Sequence, residues 1–121
     1  MMAIYNLMLR LISRNKIVGY ELHSKGLCFQ GDSPESCSFE VYGDTEGEYI
    51  LYDSLELGVK VGETWFFSGD VVENVHGKCE LFFDGFSFAI KTQTGNIFYF
   101  DGLLQKDAKK IGTIHEVIKC L

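Results

Sequence analysis

Few side chains in this sequence are suited to chemistry, and their spacing limits what they can do. Ser68 and Ser87 are candidate nucleophiles, and His76 and His115 are candidate bases. Neither serine lies in a Gly-x-Ser-x-Gly elbow, and no cysteine-protease signature is present. His76 falls in Asn74-Val75-His76-Gly77, a turn sequence where an exposed imidazole is expected. His115 sits in a terminal strand pattern, with its ring expected at the edge of the core. Glycine-rich phosphate cradles are absent. With no converging nucleophile, base and polarising group, the expectation is a protein that is not an enzyme.

The cysteines Cys28, Cys37, Cys79 and Cys120 are even in number but do not read as a secreted disulfide framework. The start, Met1-Met2-Ala3-Ile4-Tyr5, has no basic region and no small-residue cleavage site. The apolar run from Ala3 to Ile12 is broken by Asn6 and Arg10 and is too short to span a bilayer. These features predict a cytoplasmic protein with four reduced thiols acting as small core residues. There is no Cys-x-x-Cys, His76 with Cys79 is half a site, and His23 and His115 stand isolated in sequence. No metal and no other cofactor is therefore expected.

Three aspartates adjoin glycines: Gly69-Asp70, Asp84-Gly85 and Asp101-Gly102. This is turn chemistry, in which glycine supplies backbone freedom and aspartate bonds nearby main-chain groups. Asp84-Gly85 lies between two alternating segments and predicts a two-residue hairpin loop.

Charge narrows the partner class. The net charge of −6 divides into +3 over residues 1–31, −11 over 32–90 and +2 over 91–121. An acidic middle between mildly basic ends is a poor footprint for a phosphate backbone. The nucleic-acid alternative would use Trp65, Phe66 and Tyr99 as stacking surfaces, with Lys106, Lys109 and Lys110 on phosphates.

The elements that must position these residues read as strands. Period-two alternation at Tyr5, Leu7, Leu9 and Leu11 favours strand over helix for residues 2–12. Residues 4–12 and 17–23 then form a hairpin around Ser13-Arg14-Asn15-Lys16. Ser24-Lys25-Gly26 turns the chain into a short strand at 27–29, and residues 31–36 form a loop holding the single proline, Pro34. A further hairpin is expected from 38–42 and 49–53 around 43–47. Near Ser54 to Gly58 the character shifts. Beyond that point, strands are expected near 64–74, 78–83, 86–92, 96–100 and 111–117, with 103–109 as a loop or short helical turn.

The expected architecture is all-β. A β-hairpin module (residues 1–54) packs on a small, partly open barrel resembling a Src-homology-3 fold (55–121). Its core is expected to draw on Trp65, Phe67, Val71, Leu81, Phe83, Phe86, Phe88, Ile90 and Ile111. Trp65-Phe66-Phe67, Phe82-Phe83 and Ile97-Phe98-Tyr99-Phe100 are apolar on both faces, yet a barrel has one interior. Phe66, Phe82, Phe98 and Tyr99 are therefore the candidate interaction surface. Its expected partners are a second copy in a closed homo-oligomer and a host or phage protein, with neither nucleic acid nor membrane.

The ordered set Gly69-Asp70-Val71-Val72, Leu81 to Lys91, and Ile111 to Glu116 resembles the YopX family of bacteriophage and prophage proteins. The resemblance covers roughly residues 50–117 and departs at Ser68 and Thr113-Ile114-His115. It implies a phage lineage and no particular reaction, and so leaves non-covalent protein–protein interaction as the expected function.

Overall fold

The computed structural model describes residues 7–37, 39–40 and 50–115. The chain divides into two compact units, residues 1–58 and 59–121. Both are built from antiparallel strands, with one short α-helix among the described residues.

In the first unit, β1 (Leu7–Ser13) and β2 (Lys16–Ser24) form the expected hairpin. Arg14 and Asn15 in its loop take φ of 53° and 63°, the conformation whose twist suits a two-residue connection. Lys25 and Gly26 repeat the device, with φ of 54° and 79°, and lead into β3 (Leu27–Gly31). Met8, Leu9, Leu11 and Ile12 are all buried, so β1 is covered on both faces. Residues 7–13 are strand, as the alternation predicts, while residues 2–6 lie outside the described residues.

β4 (Phe39–Glu40) pairs with β3, and β5 (Ser54–Val61) pairs with β1. The rest of the hairpin expected around 43–47 lies outside the described residues, and residues 50–53 form no strand. β5 itself was not expected. Leu55, Leu57, Val59 and Val61 alternate with Glu56, Gly58 and Lys60, so a strand occupies the stretch near Ser54 to Gly58 where the chain changes character. Glu56 stands opposite Arg10 of β1, with Arg10 Nη2 at 2.6 Å from Glu56 Oε1, and Arg10 is only 2% exposed. That pairing is how a guanidinium enters an otherwise apolar strand.

Gly31 ends β3 against a short 3-10 turn, Pro34–Ser36. A Cβ at Gly31 would stand 2.5 Å from the carbonyl carbon of Ser36 and 2.8 Å from Cys37 N. Only glycine allows this closeness, which fixes Cys37 beside β3.

In the second unit, the end of β5 turns at Gly62 into β6 (Thr64–Phe67). Next come β7 (Asp70–Asn74), β8 (Gly77–Phe83), β9 (Phe88–Thr92), β10 (Ile97–Tyr99), α1 (Gly102–Asp107) and β11 (Lys109–Thr113). Five of these strands form one antiparallel sheet in the order β10-β9-β8-β7-β11. The single strand expected over 64–74 is two strands, because Ser68-Gly69 makes a turn between them. Asp70 Oδ2 accepts from Phe67 N–H at 2.7 Å and lies 3.2 Å from Lys110 Nζ, so this buried carboxylate clamps the turn.

Asp84 Oδ1 accepts from Phe86 N–H at 2.8 Å and Ser87 N–H at 2.9 Å. Turn chemistry holds here, but the loop spans residues 84–87 rather than two residues. Asp101 stands at the start of α1, where its main-chain carbonyl accepts from Leu104 N–H at 3.0 Å.

The second core gathers Phe66, Val72, Cys79, Leu81, Ile90 and Phe100. Phe67, Leu81 and Ile90 are buried as expected, while Trp65, Val71, Phe83 and Phe88 are half-buried. Two expected core residues are corrected. Phe86 is 96% exposed, because β9 begins only at Phe88 and the Asp84 turn carries Phe86 outward. Ile111 is 42% exposed, because the β11 register shifts between Lys110 and Gly112 and leaves Ile111 in the irregularity.

Candidate functional site

Glu21, His23, Cys28 and Gln30 converge on one face of the β2–β3 hairpin. The Lys25-Gly26 loop sets the register that places His23 opposite Cys28 and Glu21 opposite Gln30. Residues directly opposite share a face, as do residues two apart on one strand. His23 Nε2 lies 2.7 Å from Glu21 Oε2, and Cys28 Sγ lies 3.9 Å from the same nitrogen. The ligand atoms of Glu21, His23 and Cys28 all fall within 4.8 Å of one another.

The Glu21 carboxylate is held from behind. Gln30 Nε2 donates to Glu21 Oε1 at 3.0 Å, while the same amide accepts Ile50 N–H at 2.6 Å and donates to Ile50 O at 3.2 Å. Tyr52 O–H donates to Glu21 Oε2 at 3.5 Å. Gln30 is 3% exposed and Glu21 5%, whereas the His23 side chain is 43% exposed. The cluster thus has a buried anchor and a solvent-facing imidazole.

Burial, followed by the Glu21 charge, pushes the Cys28 thiol up to about 11. Burial also raises Cys37, with Glu35 and Glu21 adding to it, and raises Tyr52, with Glu21 adding to it. A catalytic Cys-His-carboxylate triad requires the opposite, a depressed thiol and an imidazole that uses one nitrogen for each partner. Here carboxylate and sulfur both approach Nε2, which is not triad geometry.

A second feature lies on the five-stranded sheet. Its register aligns Phe82, Ala89 and Tyr99 across β8, β9 and β10, and Glu80, Lys91 and Ile97 in the neighbouring row. Ala89 is buried, Ile97 is 60% exposed and Tyr99 63%, and Phe86 stands clear of the sheet in its loop. β10 is the terminal strand. Thr92 N–H bonds Asn96 O at 2.8 Å and Phe100 N–H bonds Phe88 O at 2.9 Å. Antiparallel alternation then makes Ile90–Phe98 the bonded pair between them, and directs the backbone groups of Ile97 and Tyr99 away from β9. Ser87, Phe88, Tyr99, Phe100, Asp101 and Gln105 line an open groove of about 430 Å³ beside this strand.

Of the surface residues expected from sequence, Tyr99 and Phe98 are exposed and Phe82 is half-buried. Phe66 is corrected. It is 3% exposed, with its ring 5.3 Å from that of Phe100 in the core. The nucleic-acid set is reduced in the same way. Phe66 is internal, and Lys110 bonds the Trp65 carbonyl and pairs with Asp70. His76 stacks on Phe98 with ring centroids 4.3 Å apart, while Cys79 is buried with its thiol against Asn74 Oδ1. Ser68 Oγ accepts from Phe83 N–H at 3.4 Å, and Ser87 belongs to the Asp84 turn.

His23, isolated in sequence, is instead the centre of the cluster. Its signal was the Lys25-Gly26 loop: a two-residue connection fixes the register, and the register sets His23 against Cys28. Cys28, Cys37 and Cys79 are free thiols, and Cys120 lies outside the described residues. Among the described residues, no helix is long and apolar enough to cross a membrane.

No family model matches the chain, and no curated protein and no solved structure matches it.

Proposed function

We propose that this chain is a non-catalytic interaction module of phage or prophage origin, YopX-like, acting in the host cytoplasm by binding protein through β10. The observation that carries this reading is the coincidence at Ile97 and Tyr99 of exposed apolar side chains with backbone groups directed off the sheet. An apolar terminal strand is a template for another strand.

The first partner is a second copy. Two β10 strands meeting antiparallel about Phe98 set Ile97 of one copy opposite Tyr99 of the other. Such a contact is self-complementary and closes as a dimer. The net charge of −6 opposes indiscriminate association beyond it. The second unit is read as a partly open, Src-homology-3-like barrel, supported by its short antiparallel strands and tight glycine turns around one core. The YopX-like reading rests on the three ordered elements between Gly69 and Glu116.

Sedimentation velocity of wild type and Ile97→Lys tests the module. Wild type is expected as a dimer or higher closed oligomer, and Ile97→Lys as the 13.7 kDa chain alone. A monomeric wild type across the micromolar range refutes self-association. If the same monomer shifts nucleic acid at low salt, the nucleic-acid alternative takes its place.

A further inference from the structure

We infer that Glu21, His23 and Cys28 form a binding site for one zinc-class divalent ion, with imidazole nitrogen, thiolate sulfur and carboxylate oxygen as its protein ligands. Three observations carry the assignment. The ligand atoms already lie within 4.8 Å of one another on a rigid two-stranded frame. Both partners approach a single imidazole nitrogen, at 2.7 Å and 3.9 Å, which suits a shared ion and not a proton relay. The carboxylate is oriented by Gln30, whose amide is itself fixed at both ends by Ile50, so Oε2 remains turned toward His23. Outer partners of this kind commonly hold metal-ligating carboxylates in place.

The two edges at His23 need only a small adjustment, and the third, Glu21 to Cys28, starts within 4.8 Å. Tetrahedral zinc, with bonds of about 2.0–2.1 Å to nitrogen or oxygen and 2.3 Å to sulfur, sets ligand edges of about 3.4 Å (N to O) and 3.6 Å (N to S). The His23–Glu21 edge of 2.7 Å must open by about 0.7 Å and the His23–Cys28 edge of 3.9 Å must close by about 0.3 Å. A half-exposed imidazole reaches both by rotating, and the His23–Glu21 hydrogen bond is exchanged for metal ligation. On ligation the Cys28 S–H proton leaves to solvent, the proton of the His23–Glu21 hydrogen bond leaves to solvent or passes through solvent to His23 Nδ1 so that Nε2 presents its lone pair, and the thiolate binds the ion without change of oxidation state. A sulfur and nitrogen donor pair selects zinc or cobalt over magnesium or calcium. Three protein ligands leave the fourth position to water or to an incoming group.

The test is metal titration of the reduced full-length chain with Zn(II), and with Co(II) as the optical probe. One ion per chain is expected, together with a near-ultraviolet thiolate-to-cobalt band. Cys28→Ser abolishes that band. Cys28→Ser and His23→Gln each weaken zinc binding by more than about 100-fold, and Gln30→Ala weakens it by about 10–100-fold. His23→Gln alters a half-exposed side chain and keeps the fold, which far-ultraviolet circular dichroism verifies. His76→Gln leaves zinc affinity unchanged. No zinc bound at micromolar concentrations overturns the assignment. So does a cobalt band that survives Cys28→Ser, wild-type zinc affinity in His23→Gln, or loss of binding in His76→Gln.

Discussion

Gly31→Ala is a sharp probe of the first unit, because its effect comes from space alone. The added methyl would sit 2.5 Å from Ser36 C and 2.8 Å from Cys37 N, where ordinary contact begins at 3.4 Å. These obstacles are backbone, and the Ser36 carbonyl oxygen stands closer still, so no rotamer change removes them and the turn must retreat from β3 by more than about 0.9 Å. Overpacking of this size costs about 1–3 kcal/mol. With a urea slope of about 2 kcal/mol/M, the unfolding midpoint falls by about 0.5–1.5 M. Gly26 is the matched control. Nothing stands within 4 Å of a Cβ there, but φ is +79°, a conformation asparagine tolerates. Gly26→Asn therefore costs under about 1 kcal/mol of backbone strain, while Gly31→Asn is worse than Gly31→Ala. Urea melts followed by far-ultraviolet circular dichroism read all three variants. A Gly31→Ala midpoint within about 0.2 M of wild type, or equal losses for the two asparagine variants, refutes the close approach.

The second unit makes its own predictions. Leu81→Ala, at a fully buried position opposite Ile90, should cost about 2–5 kcal/mol in denaturant melts, and Ile97→Ala should cost under about 1 kcal/mol. Hydrogen bonds from the Ser87 and Phe86 N–H groups hold the Asp84 carboxyl below the usual carboxylate range. A depressed folded value means this contribution is present above the unfolded value and lost as pH falls through the folded one. The protection of the residue 86–87 amides, taken as exchange relative to the intrinsic rate at each pH, should fall on acidification through that window, and Asp84→Asn should remove this pH dependence. Burial raises the Cys79 thiol, so it should react with a disulfide reagent far more slowly in the native protein than in denaturant, as mass-mapped labelling reads directly.

How much of this was legible follows from which interactions are local. Asp84 announces its turn because it bonds groups two and three residues away, and Leu81 and Ile90 announce the core through alternation alone. Phe86 misled because the pattern at Phe86, Phe88 and Ile90 continues unbroken, and only the four-residue turn decides where the strand begins. Phe66 misled because Phe66 and Phe67 are adjacent and both buried, which period-two reasoning forbids on a strand covered on one side. β5 was missed although Leu55, Leu57, Val59 and Val61 alternate, since its partner β1 lies more than forty residues earlier in sequence. The Glu21–His23–Cys28 cluster required one step beyond motif reading, from loop length to register and from register to cross-strand neighbours.

The proposed binding edge at β10 makes a prediction for amide hydrogen exchange at Ile97 and Tyr99. Their N–H groups point away from β9, so in a lone chain they exchange as solvent-exposed amides, whereas that of Phe98 is protected by Ile90. Raising protein concentration through the association midpoint should slow exchange at Ile97 and Tyr99 and leave Phe98 little changed, and Ile97→Lys should abolish the slowing. Rates at Ile97 and Tyr99 that stay fast at every concentration, while the chain remains at 13.7 kDa, would rule out β10 as a self-association edge.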